Sequence, residues 1–421
     1  MSSMSLRVTS EIGTLRRVLV HRPGFEIDWM VPSLMERLLF DDILDGDEAR
    51  DEHAAFRRIL EAAGVETLDP ETLLADCLAT ASVRDDLLAR LHADDVLDDE
   101  LATELAPLEP RALAATLING VRQPTPGGEE VDHYYRLPPV PNYFFQRDPQ
   151  SVIGTQVMIS SMATDARLRE PVLAETIFRH HPALRGAAPP IVFNSKMKGH
   201  RRPTIEGGDV LVPSPEVLLV GLSERTNRWG VEALVEHLRS SESTFRHVLV
   251  VELPPRRSCM HLDTVFTFVD HGVCLAYLPV IEATGSEAGH VYRIDLDAKS
   301  TSYNVRPGLV AALGEVGIDV ELVACGGTDS VIDQQREQWT DGANAFAIAP
   351  GVIVIYRRNR RTVDQLAQRG WRVLGEEDVV EGSVPVLGHG PTVITLLGNE
   401  LARARGGPRC MTMPLERLPL D

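Results

Sequence analysis

Val265-Phe266-Thr267-Phe268-Val269-Asp270-His271-Gly272-Val273-Cys274-Leu275-Ala276-Tyr277 reads as two apolar runs, rich in β-branched and aromatic residues, reversed at Asp-His-Gly. Such residues suit a pleated, buried strand, and Gly272 supplies the backbone freedom of a tight reversal. The stretch decides the fold because it recurs. Ser151-Val152-Ile153 and Val157-Met158-Ile159 flank Gly154-Thr155, and Val210-Leu211-Val212 and Val217-Leu218-Leu219-Val220 flank Pro213-Ser214-Pro215. Phe346-Ala347-Ile348-Ala349 and Val352-Ile353-Val354-Ile355-Tyr356 flank Pro350-Gly351, and residues 8–22 give a fifth hairpin pattern around Gly13. Helical patterns follow at 169–180, 229–240, 307–317 and 363–370, each leading towards another apolar strand.

No such ββαβ unit can bury its own face. Five of them suggest a ring of blades about a central axis, an α/β fold of the five-bladed, pseudo-symmetric propeller type. The spacing is uneven, so an ordinary open α/β sheet stays the competing arrangement. Upstream, Ser33 and Glu36 make a capping-box pattern that predicts a helix through Leu34-Met35-Glu36-Arg37-Leu38-Leu39-Phe40. A second helix is expected over 48–63, with Phe56, Ile59 and Leu60 on one face and Gly64 as its stop. Val65-Glu66-Thr67-Leu68 reads as a returning strand. From Pro70 to about Gly120, leucines recur at three and four residues with acidic residues between them, which predicts four or five short helices. Gln123-Pro124-Thr125-Pro126-Gly127-Gly128 closes that region. The expected division is an α/β body at 1–69 and 137–421, with a small α-helical domain inserted at 70–136.

The 421 residues are 43% hydrophobic and 24% charged, the balance of a globular chain. A net charge of −19 argues against general affinity for nucleic acid or an anionic membrane and tolerates a cationic small molecule. The five cysteines (Cys77, Cys259, Cys274, Cys325, Cys410) include no C-x-x-C pair, so a zinc ribbon or thioredoxin-type motif is not indicated. Their odd number and wide scatter fit reduced thiols in a cytoplasmic protein. No apolar run is long enough to span a bilayer. Nothing in the sequence separates a monomer from a homo-oligomer.

Chemistry-bearing residues stand just before or inside successive hairpins: Asn142 and Asp148, then Glu206-Gly207-Gly208-Asp209, then His261-Leu262-Asp263, then Asp341-Gly342-Ala343-Asn344. The last is Cys410 in Gly406-Gly407-Pro408-Arg409-Cys410-Met411-Thr412-Met413-Pro414. Singly each has an ordinary reading: an aspartate before proline is a turn former, a Gly-Gly-Asp a loop, a histidine before a strand structural, a free cysteine a small buried hydrophobe. Together they put several carboxylates, one imidazole and one thiol at equivalent points of a repeated unit. In a ring those points converge, and such a site suits a cationic, planar, donor-rich group. Arg403, Arg405 and Arg409 lie close to Cys410 in sequence, and cationic neighbours can favour the thiolate, the form that attacks carbon.

At these residues the chain resembles the arginine deiminases. The likeness also runs through Val8-Thr9-Ser10-Glu11-Ile12-Gly13, Leu39-Phe40-Asp41-Asp42-Ile43, Ser223-Glu224-Arg225-Thr226, Met260-His261-Leu262-Asp263-Thr264 and Arg336-Glu337-Gln338-Trp339, in the family's order over nearly the whole chain. The resemblance implies the guanidino-group-modifying, or pentein, fold with a helical insert. It implies L-arginine as substrate, Cys410 as nucleophile forming a covalent thiouronium intermediate, and citrulline and ammonia as products. By the same resemblance His261 shuttles protons, Asp148 and Asp263 clamp the guanidinium, and Glu206 assists. Asn142, Arg167, Arg225 and Arg405 match positions that hold the substrate's carboxylate end, and Asp209 is a candidate for the polar network around it. No metal and no organic cofactor is implied.

The sequence departs from the family's pattern in several places. Ala402-Arg403-Ala404-Arg405 stands where Gly-Arg-Gly-Arg is common, Gln146 replaces a commoner threonine and Arg357 a commoner aspartate. About twenty residues, roughly 375–395, read as an addition whose Gly388-His389-Gly390-Pro391 turn either lines the entrance or decorates the surface, the surface being favoured. Rival readings are an amidinotransferase or a modified-arginine hydrolase on the same fold, and an arginine-binding regulatory protein without turnover. A metal-dependent guanidine hydrolase lacks a His/Asp cluster at ligand spacing.

Overall fold

Five sheets repeat one plan in the computed structural model, which describes residues 4–124, 134–184, 188–193, 199, 201–382 and 384–420. In each, a middle strand pairs antiparallel with a neighbour on one side and parallel with a neighbour on the other. Gln150–Ile153, Gln156–Ile159 and Ile191–Val192 form one sheet. Val210–Ser214, Val217–Leu222 and His247–Glu252 form the next, which Val291–Asp295 and Asn304–Arg306 extend. Phe266–Asp270, Val273–Ala276 and Glu321–Ala324 follow. Phe346–Ala349, Val352–Tyr356 and Thr392–Leu396 make the fourth, with Arg372–Gly375 outside. In the fifth, Leu15–Leu19 pairs antiparallel with Met413–Arg417 and parallel with Glu66–Leu68.

The plan follows from chain geometry. A hairpin makes an antiparallel pair, whereas a parallel neighbour needs a long crossover. Helices Gly46–Ala62, Arg169–His180, Arg228–Ser240, Leu309–Glu315 and Arg360–Gln368 occupy those crossovers. Arg228–Ser240 shows the division of labour: Val231, Leu234, Val235 and Leu238 are buried, while Arg228 and Glu232 pair at 2.7 Å on the outer face. Middle strands are apolar on both faces; Val217–Leu222 is buried at all but its last residue. Each such leucine or phenylalanine fully withdrawn from water stabilises the fold by about 2 kcal/mol.

Residues 70–119 are helical in four segments, Pro70–Leu78, Ala81–Ala93, Asp99–Leu105 and Pro110–Asn119. Leu74, Leu91, Leu101, Leu113 and Leu117 fill the space between them. Gly120 ends the last helix at φ 83°, a conformation that favours glycine. Of the expected closing stretch, residues 125–128 lie outside the described residues.

Two expectations are corrected. Residues 8–22 do not form a hairpin: Val8 makes only an isolated bridge to Gly154, and Leu15–Leu19 takes its antiparallel partner from the far end of the chain. The capping-box pattern at Ser33 leads not to an α-helix but to a 3-10 turn, Pro32–Leu34, followed by turns. No side chain caps it, and Leu39 at φ 59° breaks any helical path. In the apparent addition at 375–395 the turn lies at the surface, as expected. Gly388, His389, Gly390 and Pro391 are exposed, but Thr392–Leu396 is a fully buried strand flanked by two others. Arg357 pairs with Glu377 of this segment, so the unusual arginine and the segment go together.

Candidate active site

The turn that enters the antiparallel end strand of each sheet carries one of the singled-out residues. Asp148 precedes Gln150–Ile153, Glu206 and Asp209 precede Val210–Ser214, and His261 and Asp263 precede Phe266–Asp270. Asn344 precedes Phe346–Ala349, and Cys410 precedes Met413–Arg417. The turns are knitted together by backbone: Gly207 N–H donates to the Asp148 carbonyl (3.0 Å) and Arg147 N–H to the Cys410 carbonyl (3.0 Å).

Cys410 is 4% exposed, and its Sγ lies 3.7 Å from Oδ2 of Asp263. That oxygen also accepts from Arg409 Nη1 at 2.7 Å. His261 Nε2 contacts Glu206 Oε2 at 2.8 Å, and its Nδ1 lies 3.6 Å from Asp148 Oδ1. Asp148 Oδ2 accepts from Arg167 Nη1 at 2.5 Å. The remaining Oδ1 atoms of Asp148 and Asp263 are buried without a hydrogen-bond partner among the described residues. Two unsatisfied carboxylate oxygens near a thiol and an imidazole are costly unless a donor meets them. A guanidinium, planar and carrying several N–H groups, is a donor of that geometry.

Burial opposes charge on His261, but the carboxylates of Asp148, Glu206 and Asp209 outweigh it and raise its pKa to about 9. Glu206 is held low despite burial, by the hydrogen bond to His261 and the charges of Arg225, His261 and Arg167. Burial pushes Asp209 up to about 7, although Ser223 Oγ (2.6 Å) and Leu262 N–H (2.8 Å) donate to it. Burial also raises Asp263, against the pull of Arg409 and His261.

The thiol does not sit in the cationic field that its sequence neighbours suggest. Arg409 is spent on Glu11 (3.1 Å) and Asp263, and Arg403 on Asp42 (2.9 Å) and Glu400 (2.7 Å). Arg405 lies over the Trp339 ring, 4.0 Å from its centroid, and donates to the Trp339 carbonyl. Burial, and then Asp263, Asp148 and Asp341, hold the Cys410 thiol well above its ordinary range. At neutral pH the unliganded site pairs a neutral thiol with a protonated imidazole.

Beside this group lies a constricted cavity of about 20 Å³, lined by Asn142, Asp148, Arg167, Arg225 and Arg405, together with Arg257 and Met260. Its volume matches little more than a water molecule, so an amino-acid ligand requires the wall to move. The side chains there differ in how free they are. Arg167 is committed to Asp148 and, through Nε (2.9 Å) and Nη2 (2.7 Å), to Glu170. Asn142 donates to the Leu38 carbonyl at 2.8 Å. The Nε atoms of Arg225 and Arg405 have no hydrogen-bond partner among the described residues. Asp209 does not line the cavity; it steadies the His261 turn through the Leu262 N–H.

Sequence reading gave no role to three contributors. Glu11 holds Arg409 and accepts from Val212 N–H (2.9 Å), Asn344 grips the Cys410 turn, and Arg257 joins Asp41 (2.8 Å) at the cavity wall. Only Asn344 carried a signal, its place in the repeat. Among the described residues, no group of three or more His, Cys, Asp or Glu side chains is arranged to hold a metal ion. No helix there is long and apolar enough to cross a membrane.

The family model described as arginine deiminase matches residues 36–417. The arginine deiminase of Streptococcus pyogenes serotype M49 (strain NZ131) is 36% identical over 432 residues, covering 98% of each chain. That of Clostridium perfringens (strain SM101 / Type A) is 37% identical over 441 residues, again covering 98% of each. Among solved structures, SxtG, an amidinotransferase from Microseira wollei, superposes with a TM-score of 0.55 at 14% identity, covering 99% of this chain and 98% of its own. At that identity the likeness carries the fold alone, and that fold is the pentein fold.

Proposed function

The chain belongs to the arginine deiminase family, and on that premise we propose that it hydrolyses the guanidino group of L-arginine to L-citrulline and ammonia through a covalent intermediate on Cys410. The enzyme is a hydrolase of carbon–nitrogen bonds in linear amidines. The observation that carries the choice of nucleophile is the approach of Cys410 Sγ to Asp263, beside buried Asp148 and Asp263 oxygens that lack donors.

The mechanism follows from the electrostatics. A guanidinium bound between Asp148 and Asp263 satisfies their Oδ1 atoms and offsets the negative field that keeps the thiol protonated, so substrate binding itself favours the thiolate. The thiol gives its proton to water as the guanidinium binds, and the thiolate attacks the guanidinium carbon, forming an S–C bond as the C=N electron pair moves onto nitrogen. His261, protonated at neutral pH, passes its proton to the departing nitrogen as the C–N bond breaks and ammonia leaves. The neutral imidazole then takes a proton from water, and the hydroxide adds to the thiouronium carbon. Collapse breaks the S–C bond, the hydroxyl proton passes to the departing sulfur, and citrulline leaves with the neutral thiol and protonated imidazole restored. Glu206 keeps His261 oriented through the 2.8 Å contact, and the paired carboxylates aim the carbon at sulfur. Arg225 and Arg405, whose Nε atoms make no hydrogen bond among the described residues, are the side chains best suited to a carboxylate end. Arg167 serves the site mainly through Asp148, and Asn142 through the wall.

We further propose that 1–69 and 137–421 form the catalytic body and 70–136 an inserted helical domain. A net charge of −19 and five buried, widely scattered cysteines support a cytoplasmic enzyme acting on a small molecule, without nucleic acid or membrane as partner.

The test is mass spectrometry of the intact protein quenched during turnover with arginine. An added amidino mass on the peptide containing Cys410, with citrulline and ammonia as products, is expected. Turnover without that adduct under single-turnover conditions rejects Cys410. Ornithine plus an amidinated amine, when an acceptor amine is supplied, identifies transfer instead.

A further inference from the structure

Asp341-Gly342-Ala343-Asn344 occupies, in the fourth sheet, the point at which other sheets carry Asp148, Asp209 and Asp263, yet no step above uses it. Its asparagine is fully buried. Asn344 Oδ1 accepts from the backbone N–H of both Arg409 and Cys410, each at 3.1 Å. Its Nδ2 donates to the backbone carbonyl of Asp263 at 3.0 Å. One amide thus joins the nucleophile's turn to the backbone of the carboxylate that faces the thiol.

We propose that Asn344 is the positioning residue of the nucleophile, fixing the separation of Cys410 Sγ from the Asp263 carboxylate by bridging their two backbones. The inference rests on Cys410 being the nucleophile.

The chemistry of the side chain supports this. The position requires an acceptor for two N–H groups and a donor to one carbonyl, which a primary amide supplies and a carboxylate does not. A carboxylate there would also add negative charge beside a thiol already facing Asp263, Asp148 and Asp341. The repeat therefore breaks its acidic pattern at the one point where the group must serve the thiol's own backbone. The same contact accounts for Gly407, and the Phe145 ring accounts for Gly406. A Cβ at Gly407 would lie 2.6 Å from Asn344 Oδ1, and one at Gly406 would lie 2.2 Å from the Phe145 ring. The turn reaches Asn344 because neither residue carries a side chain.

The test uses Asn344→Asp and Asn344→Ser in the full chain. Three quantities are read: kcat, KM for arginine, and the pH dependence of Cys410 alkylation by iodoacetamide, followed on its peptide. Asn344→Asp is expected to lower kcat at least about tenfold with KM within about threefold, as loss of aim does. Its alkylation midpoint is expected to rise by about half a pH unit or more, because the new charge opposes the thiolate. Asn344→Ser, which stays neutral, is expected to lower kcat with KM held and the midpoint in place. Parental kcat in either variant overturns the proposal, and so does an unmoved midpoint in a folded Asn344→Asp protein. Should Asn344→Asp lose its native circular dichroism, Asn344→Ser decides by its kcat alone. A parent chain that forms no citrulline would instead sink the turnover reading, since alkylation reports on Cys410 without turnover.

Discussion

Nε2 of His261 and Oε2 of Glu206 meet at 2.8 Å with both side chains buried, which joins the only imidazole beside the thiol, among the described residues, to a carboxylate that stays ionised. Burial alone would leave His261 neutral. Asp148 and Glu206 together make it an acid at neutral pH. In Glu206→Gln one of these supports is gone, so His261 loses its proton at lower pH. The alkaline limb of the pH–rate profile for citrulline formation, set near pH 9 in the parent, is expected to move towards neutrality. A limb that does not move would show that His261 is not the proton donor.

Gly208 packs directly on the same ring, and a Cβ there would lie 2.6 Å from His261 Nδ1. Gly208→Ala must tilt or displace the imidazole. Steady-state kinetics should show kcat lower by about 100-fold, with KM changed much less, because the loss is of aim rather than of binding.

Arg409 is fully buried between Glu11 and Asp263. Arg409→Met leaves two carboxylates in the interior without their cation, a change that destabilises by about 3–5 kcal/mol. Urea unfolding should show the midpoint falling accordingly, and Arg409→Lys should recover part of it. Equal stability of parent and Arg409→Met would mean that the pair is not what offsets the burial of these acids.

Three buried histidines set a pH window for stability. His21 is raised to about 10: burial opposes its charge, but Asp69 at 3.2 Å and Glu26 at 3.5 Å prevail. His261 is raised to about 9. Their contribution is complete below the unfolded value of about 6.5 and is lost as pH climbs through 9 and 10. His53 is lowered to about 3, by burial first and then by the charge of His21. Its contribution is complete above about 6.5 and declines below that, as the unfolded chain gains a proton the folded one refuses. Calorimetry across pH 5 to 10 should find the highest Tm between about 6 and 7, with the alkaline fall shallower in Asp69→Asn.

Much of this was legible in the sequence because the fold repeats. Val210-Leu211-Val212 or Phe346-Ala347-Ile348-Ala349 announces a strand, and the polar residues just before it must then fall at corresponding points of successive sheets. Asp148, Glu206, His261, Asp263 and Cys410 were visible for that reason. Long-range partnership was not. Glu11 and Arg409 are 398 positions apart, and nothing in either neighbourhood says that they meet. That contact reverses the expected field at the thiol, since an arginine adjacent in sequence proves to be spent on two acids. The hairpin expected at 8–22 failed for the same reason, its strand finding a better partner near the other end. At Ser33 the local capping signal was real in type but too weak to outweigh the turn at Leu39.

The pairing of Leu15–Leu19 with Met413–Arg417 has a temporal consequence. The thiol stands three residues before Met413–Arg417, and that strand cannot dock until it meets Leu15–Leu19, made much earlier in synthesis. A nascent polypeptide therefore carries Asp148, Glu206 and His261 before Cys410 can join them. The cluster around the thiol closes only when those two distant strands pair.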